Sequence, residues 1–169
     1  MLLDTSTSLM PGAFVVGPTA PTPTVIRVPG ATLLVAPQAT LAATEAGLKS
    51  LRGLRSAGRR VVWWNVSEMS RTAGADLPQW GRRLVEEAGA SLVVVCGLGG
   101  RDVAVGARDA GLALGRVVVC RDEATARNVL GDSIASGDTV LALGVGMDGC
   151  QRLTDRLESR FARQLAAAT

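Results

Sequence analysis

The 169-residue chain has no histidine and no tyrosine. Without imidazole, neither a Ser-His-Asp nor a Cys-His nucleophile can be assembled, and the commonest metal ligand is gone. Lys49 is the only lysine, so nearly all the positive charge is arginine. Aromatic residues make up 3%, so the core must come from Val, Leu and Ala, and bases have no stacking platform. The formal charge is +3 and scattered, with basic doublets only at Arg59-Arg60 and Arg82-Arg83, which reads as a solvated surface rather than a nucleic-acid stripe. The three cysteines, Cys96, Cys120 and Cys150, are far apart in sequence, which argues against a zinc or redox motif. Cys96 and Cys120 close valine runs and read as buried, reduced strand thiols. No apolar run reaches the ~18 residues of a membrane span, and the N-terminus lacks the basic stretch of a secretory signal. The expectation is a protein without metal, nucleic acid or membrane partner, in the cytoplasm by default.

What is present is alternation. Residues 1–24 are rich in Thr, Pro, Ser and Gly and read as a lead-in segment, with Phe14-Val15-Val16 as a short edge strand. Residues 25–169 read as one domain. Val25–Val28, Pro29-Gly30 and Thr32–Val35 form a hairpin signal. Helical spacing over 40–57, 77–89, 101–114, 123–136 and 148–168 alternates with the apolar runs Val61–Trp64, Leu92–Cys96, Val117–Cys120 and Thr139–Leu143. Asp122 stands where a helix N-cap belongs. Strands apolar on both faces and separated by helices imply an α/β fold: a three-layer, Rossmann-like, mostly parallel sheet with helices on both faces and an N-terminal β-hairpin. A ligand would then bind where the strands end, at the loops 65–70, 97–101, 121–122 and 144–149.

The last of these loops begins Gly144-Val-Gly-Met-Asp-Gly149, a Gly-x-Gly-x-x-Gly pattern between strand and helix. A dinucleotide site also needs a following strand and an acid about 20 residues on, and the sequence ends at Thr169 still within the helical pattern. Gly144, Gly146 and Gly149 therefore read either as an anion cradle at a helix start or as a tight turn, with Asp148 disfavouring an anion. Gly97, Gly99, Gly100 and Arg101 read either as a phosphate loop with a counter-charge or as a flexible turn. Asn65 and Glu68 are a polar-site candidate or ordinary loop residues. Trp63 and Trp64 should face opposite sides of a strand, with at least one in the core and the other under a helix or on a partner surface. Cys150, near a helix start, is placed where a thiol pKa is lowered.

The order of these blocks resembles the C-terminal domain of the Mur ligases, above all the ligase that adds D-alanyl-D-alanine to the cell-wall precursor. Gly137-Asp138-Thr-Val-Leu-Ala-Leu143-Gly144 is similar to that family's final strand block, Val62-Trp-Trp-Asn65-Val-Ser-Glu68-Met-Ser70 to its second, and Val94-Val-Cys-Gly97 to its third. The resemblance covers roughly residues 25–160. It implies a peptidoglycan-related, ligase-like module. The departures fall on the chemistry: the family's rim carboxylate and asparagines align with Val35-Ala-Pro-Gln-Ala-Thr-Leu41, its lysine aligns with Leu143, and nothing matches Gly-x-x-x-x-Gly-Lys-[Ser/Thr]. The expectation is a pseudoenzyme with no catalytic residues and no cofactor of its own, a binding, scaffold or accessory subunit. ATP and Mg²⁺ enter only if a ligase-like ATPase partner completes the site, making this chain the acceptor side of a split amide ligase. A small nucleotide-binding module is the remaining reading. A homodimer through exposed apolar surface is the other partner expectation.

Overall fold

A computed structural model of the chain describes residues 21–72 and 74–167. The Phe14–Val16 segment lies outside the described residues. Eleven principal elements follow in order: β1 (Thr24–Val28), β2 (Ala31–Ala36), α1 (Leu41–Gly53), β3 (Arg60–Asn65), α2 (Leu77–Glu86), β4 (Leu92–Cys96), α3 (Gly100–Asp109), β5 (Val117–Cys120), α4 (Glu123–Ser133), β6 (Asp138–Leu143) and α5 (Met147–Ala167). The six strands form one sheet in the order β1-β2-β6-β3-β4-β5. Only β1 is antiparallel, paired with β2 across the turn at Gly30, whose φ of +83° no side-chain-bearing residue adopts cheaply. The remaining strands run parallel and end on one rim, so the expected architecture is the observed one.

Alternation along the strands divides the core. Leu33, Val35, Trp63, Val94 and Val140 face α4 and α5, where they meet Leu130, Leu153 and Phe161. Leu34, Val62, Trp64, Val93 and Leu141 face the other way, toward Leu48, Leu84 and Val103 of α1, α2 and α3. Trp63 and Trp64 thus take opposite faces, and both are fully buried. Trp64 meets Trp80 of α2 edge-on, ring centroids 6.4 Å apart, so neither tryptophan marks a partner surface. Across the Trp80 ring lies the Arg83 guanidinium, 4.4 Å from its centre. Arg83 also grips Glu45 of α1 at 2.7 Å and Glu87 at 2.6 Å. These hydrogen bonds hold both carboxyls below their ordinary range.

Local chemistry sets the helix boundaries. Thr40, Asp76 and Asp122 each accept a hydrogen bond from a first-turn N–H, as N-caps do. The helices expected over 40–57, 101–114 and 123–136 end earlier, at Gly53, Asp109 and Ser133. For α4 the reason is explicit: Arg160 donates to the carbonyls of Gly131 and Ile134, and Arg59 to that of Ser133. These arginines satisfy the terminal carbonyls and oppose the negative end of the helix dipole. Between α2 and α3 the main chains nearly touch. A Cβ on Gly81 would collide with the Val103 carbonyl, and one on Gly106 with that of Pro78.

Asp138, from the motif that carried the resemblance, lies at the opposite end of the sheet from the rim. It is 1% exposed and ion-paired with Arg59 at 2.7 Å. It also accepts from the N–H groups of Arg59 and Ala135, each at 2.8 Å. Burial pushes its carboxyl up, but these donors outweigh burial and hold it below the usual aspartate range. The role of Gly137-Asp138 here is architectural.

Candidate functional site at the strand ends

Where an open α/β sheet reverses direction, a crevice outside the strand ends usually receives the ligand. In this chain the reversal falls beside β6, whose neighbours β2 and β3 lead into α1 and α2 on one face while β6 leads into α5 on the other. The chain's own loops approach one another closely there. Gly144 donates its N–H to the Ala36 carbonyl at 2.9 Å. Its φ is +63°, and a Cβ there would meet the Asn65 carbonyl at 2.5 Å and Ala39 at 2.9 Å. The Glu68 carboxylate reaches back to the Ala39 N–H at 3.3 Å, and the Val66 N–H donates to the Cys96 carbonyl at 2.9 Å. The loops after β2, β3, β4 and β6 are therefore bonded into one surface.

Each expected site residue has a definite place on it. Asn65 turns its side-chain oxygen to the Ser67 N–H at 3.3 Å, a local turn. Gly97 has no room for a side chain, since a Cβ would strike Ser67 and come within 2.8 Å of the Asn65 side chain. Gly99, at φ +87°, is the N-cap position of α3, and Gly100 is buried. The N–H groups of Gly100, Asp102 and Val103 already donate to the Gly97 and Gly99 carbonyls, so this loop keeps few donors for an anion. The Glu123 carboxylate lies close to Gly149, where a Cβ would meet it. A protein carboxylate thus occupies the positive end of α5, with Asp148 also in that turn. Gly146 is exposed with open space around it. The lowered thiol pKa expected at Cys150 is not found: burial, then the Glu123 carboxylate, pushes it up to about 12. Cys96 rises to about 12 for the same reasons, and Cys120 also rises. All three cysteines are free and buried, the placement read for Cys96 and Cys120 from their valine runs.

The open part of the rim lies further out, between the start of α3 and the end of β5. There Gly97–Asp102 and Val119–Arg121 enclose a hollow of about 590 Å³. Arg101 and Arg121 both line it. Arg121 was legible only as part of the 121–122 loop; it pairs with Asp122 at 3.1 Å. The Asp122 carboxyl is lowered to about 2, first by the Thr125 N–H that it caps. With Asp102 and Asp122 beside the two arginines, the hollow carries mixed charge. Asn65, Glu68 and the Gly144–Gly149 turn lie on the part of the rim beside β6, away from this hollow, so the structure does not bring the expected residues together around one ligand. Among the described residues, no group of three or more acidic or cysteine side chains converges on a metal position, and no helix is long and apolar enough to cross a membrane.

No family model matches the sequence, and no curated protein matches it. Solved structures do match. A domain assigned to a UDP-N-acetylmuramate:L-alanyl-gamma-D-glutamyl-diaminopimelate ligase of Haemophilus ducreyi 35000HP superposes with a TM-score of 0.54 at 12% identity, over 81% of this chain and 97% of that domain. The chain has the fold of a Mur ligase domain. The MurF ligase of Thermotoga maritima, solved with ADP, matches over 86% of this chain with a TM-score of 0.57 at 14% identity. MurF of Acinetobacter baumannii matches over 80% with a TM-score of 0.56 at 14% identity. The chain spans 33% and 29% of those two enzymes, about a third of a full ligase. The likeness to the Mur C-terminal domain read from the motif order therefore holds for the fold.

Proposed function

We propose that this chain is a non-catalytic binding module of a Mur-ligase-like assembly, presenting the rim of its sheet to a partner that carries the nucleotide site. One observation carries this reading: beside β6, Gly144 packs against the Asn65 carbonyl and Ala39, and the Glu123 carboxylate lies close to Gly149. ATP-driven amide formation needs cationic and metal clamping of a transferring phosphoryl group. The residues at this crevice do not fit such a group, because the charged side chain lying over the helix start is a carboxylate. The bonded rim gives a preformed face, and preformed faces lose little freedom on docking. Incubating the purified chain with ATP and Mg²⁺ tests the reading. Phosphate release should stay at the protein-free background, and turnover abolished by substitutions in this chain would overturn it.

The hollow beside Arg101 and Arg121 favours a second reading, in which the chain is the acceptor-side subunit of a split, ATP-dependent amide ligase. The arginines would then orient an anionic acceptor while the partner holds ATP and Mg²⁺. Mixing the chain with a co-purifying Walker-loop protein separates the two readings. Amide formation that appears only in the mixture, and falls with Arg101→Ala, supports the split ligase. Complex formation without product supports the accessory role. A melting-temperature rise with ATP, NAD or a UDP-sugar on the chain alone would instead favour a nucleotide-binding module.

A further inference from the structure

A second hollow lies at the end of the sheet opposite the rim, on the face that α1 packs against. Val25 and Arg27 of β1 share that face, because they pair in register with Leu34 and Thr32, and Leu34 belongs to the α1 side of the core. α1 stops at Gly53. Leu54 and Arg55, which follow it, join Val25, Arg27, Thr32 and Ser136 in enclosing about 510 Å³. Ser136 comes from the turn before β6, and that turn is tied to the hairpin: Gly137 donates its N–H to the Gly30 carbonyl at 2.6 Å.

The charge here is of one sign. Arg27 and Arg55 line the hollow and no carboxylate does. The rim hollow, by contrast, has Asp102 beside its arginines, and the groove at Val105 has Asp109 beside Arg108. Among the described residues neither Arg27 nor Arg55 makes an ion pair or a side-chain hydrogen bond, and the Thr32 and Ser136 hydroxyls are without a partner as well. Asp138, two residues beyond Ser136, is ion-paired with Arg59 and shares the other face of the sheet with Val140. Arg60 donates to the carbonyls of Arg52 and Leu54 at 3.4 Å, which offsets the negative end of α1.

We propose that this hollow binds a phosphate monoester of a small apolar group. The two guanidiniums balance the two charges of a phosphomonoester dianion, and their planar pairs of N–H donors fit phosphate oxygens. A carboxylate balances only one of them. Thr32 and Ser136 add hydroxyl donors, while Val25, 50% exposed, and Leu54 offer the apolar part of the ester a surface to cover. The hollow and the rim are at opposite ends of the sheet, so this binding stands apart from the function proposed above.

Calorimetric titration of the purified chain with phenyl phosphate, inorganic phosphate and benzoate, above neutral pH, tests the proposal. Phenyl phosphate is expected to bind with a submillimolar dissociation constant, and inorganic phosphate at least about 5-fold more weakly because it leaves the apolar surface uncovered. Benzoate should bind more weakly than phenyl phosphate. No binding of phenyl phosphate at millimolar concentration overturns the proposal. Equal affinity for the two phosphates overturns the assignment of an ester, and equal affinity for benzoate overturns that of a phosphate. Arg27→Ala and Arg55→Ala should each weaken phenyl phosphate at least about 10-fold, the scale of one charge-assisted hydrogen bond, with the melting temperature unchanged because both side chains are exposed. Affinity that survives both substitutions belongs to another surface and overturns the proposal. Arg116→Ala, at an exposed arginine just before the edge strand β5, should leave the affinity as it was. An equal loss there would mean diffuse attraction to a basic chain and would also overturn it.

Discussion

At the end of the sheet where the parallel strands begin, one buried carboxylate gathers donors from two segments. At the end where they finish, glycines let main chains touch while charged side chains stand in water. Asp138 is 1% exposed, and removing it would take the acceptor from the Arg59 guanidinium and from the N–H groups of Arg59 and Ala135. On the rim, Arg101 and Glu68 are exposed, and solvent replaces most of what they lose when a partner is cut. The same residue types thus act as structural keystones at one end and as adjustable surface at the other. The motif that most resembles a ligase sits at the structural end.

Substitutions can break this contrast, and their expected effects are graded. Asp138→Ala should cost about 3 kcal/mol, the lower end of the loss on breaking a buried pair because Arg59 is itself partly exposed, read as a fall in the urea midpoint. Gly144→Ala tests the tightest point of the rim; strain at positive φ and the approach to Asn65 should cost about 1–3 kcal/mol. Gly146→Ala, in the same loop with open space around it, should be near neutral, and an equal loss at both glycines would erase the packing argument. A pH titration of the melting temperature sharpens the comparison further. Because the folded Asp138 carboxyl lies below its unfolded value, its contribution is complete above about pH 4 and fades as pH falls below that. Asp138→Asn should flatten this acid limb. Least is expected of Glu68→Gln and Arg101→Ala, each within about 0.5 kcal/mol of the parent in thermal unfolding. A large loss at Glu68 would move it to the structural class.

The fold was legible because its signals are local and repeated. Apolar strands separated by helical spacing define a parallel sheet, and Pro29-Gly30 sets the opening hairpin. The rim was legible only as an address. Glycine in a turn has the same sequence signature whether it admits a phosphate or a neighbouring carboxylate. At Gly149 the occupant is Glu123, 26 residues away, and at Gly97 it is Ser67, 30 residues away. Such approaches are tertiary facts with no local period. The early end of α4 escaped for the same reason, since the arginines that satisfy its carbonyls come from positions 59 and 160. Cys150 shows the limit of a single rule. A helix start lowers a thiol pKa where water can reach it, but here desolvation and a carboxylate outweigh the dipole. Gly81 and Gly106, by contrast, gave no expectation at all, because glycine within a helical pattern is silent until a second backbone is placed against it.

That last contact has a mechanical consequence. Helices separated by long side chains can slide past one another by rotamer changes, but α2 and α3 have no such lubricant where Gly81 meets Val103 and Gly106 meets Pro78. They are keyed together, and with them the strands they connect. Amide protons from β3 through α3 should therefore exchange with solvent as a single cooperative block, released together rather than one helix at a time.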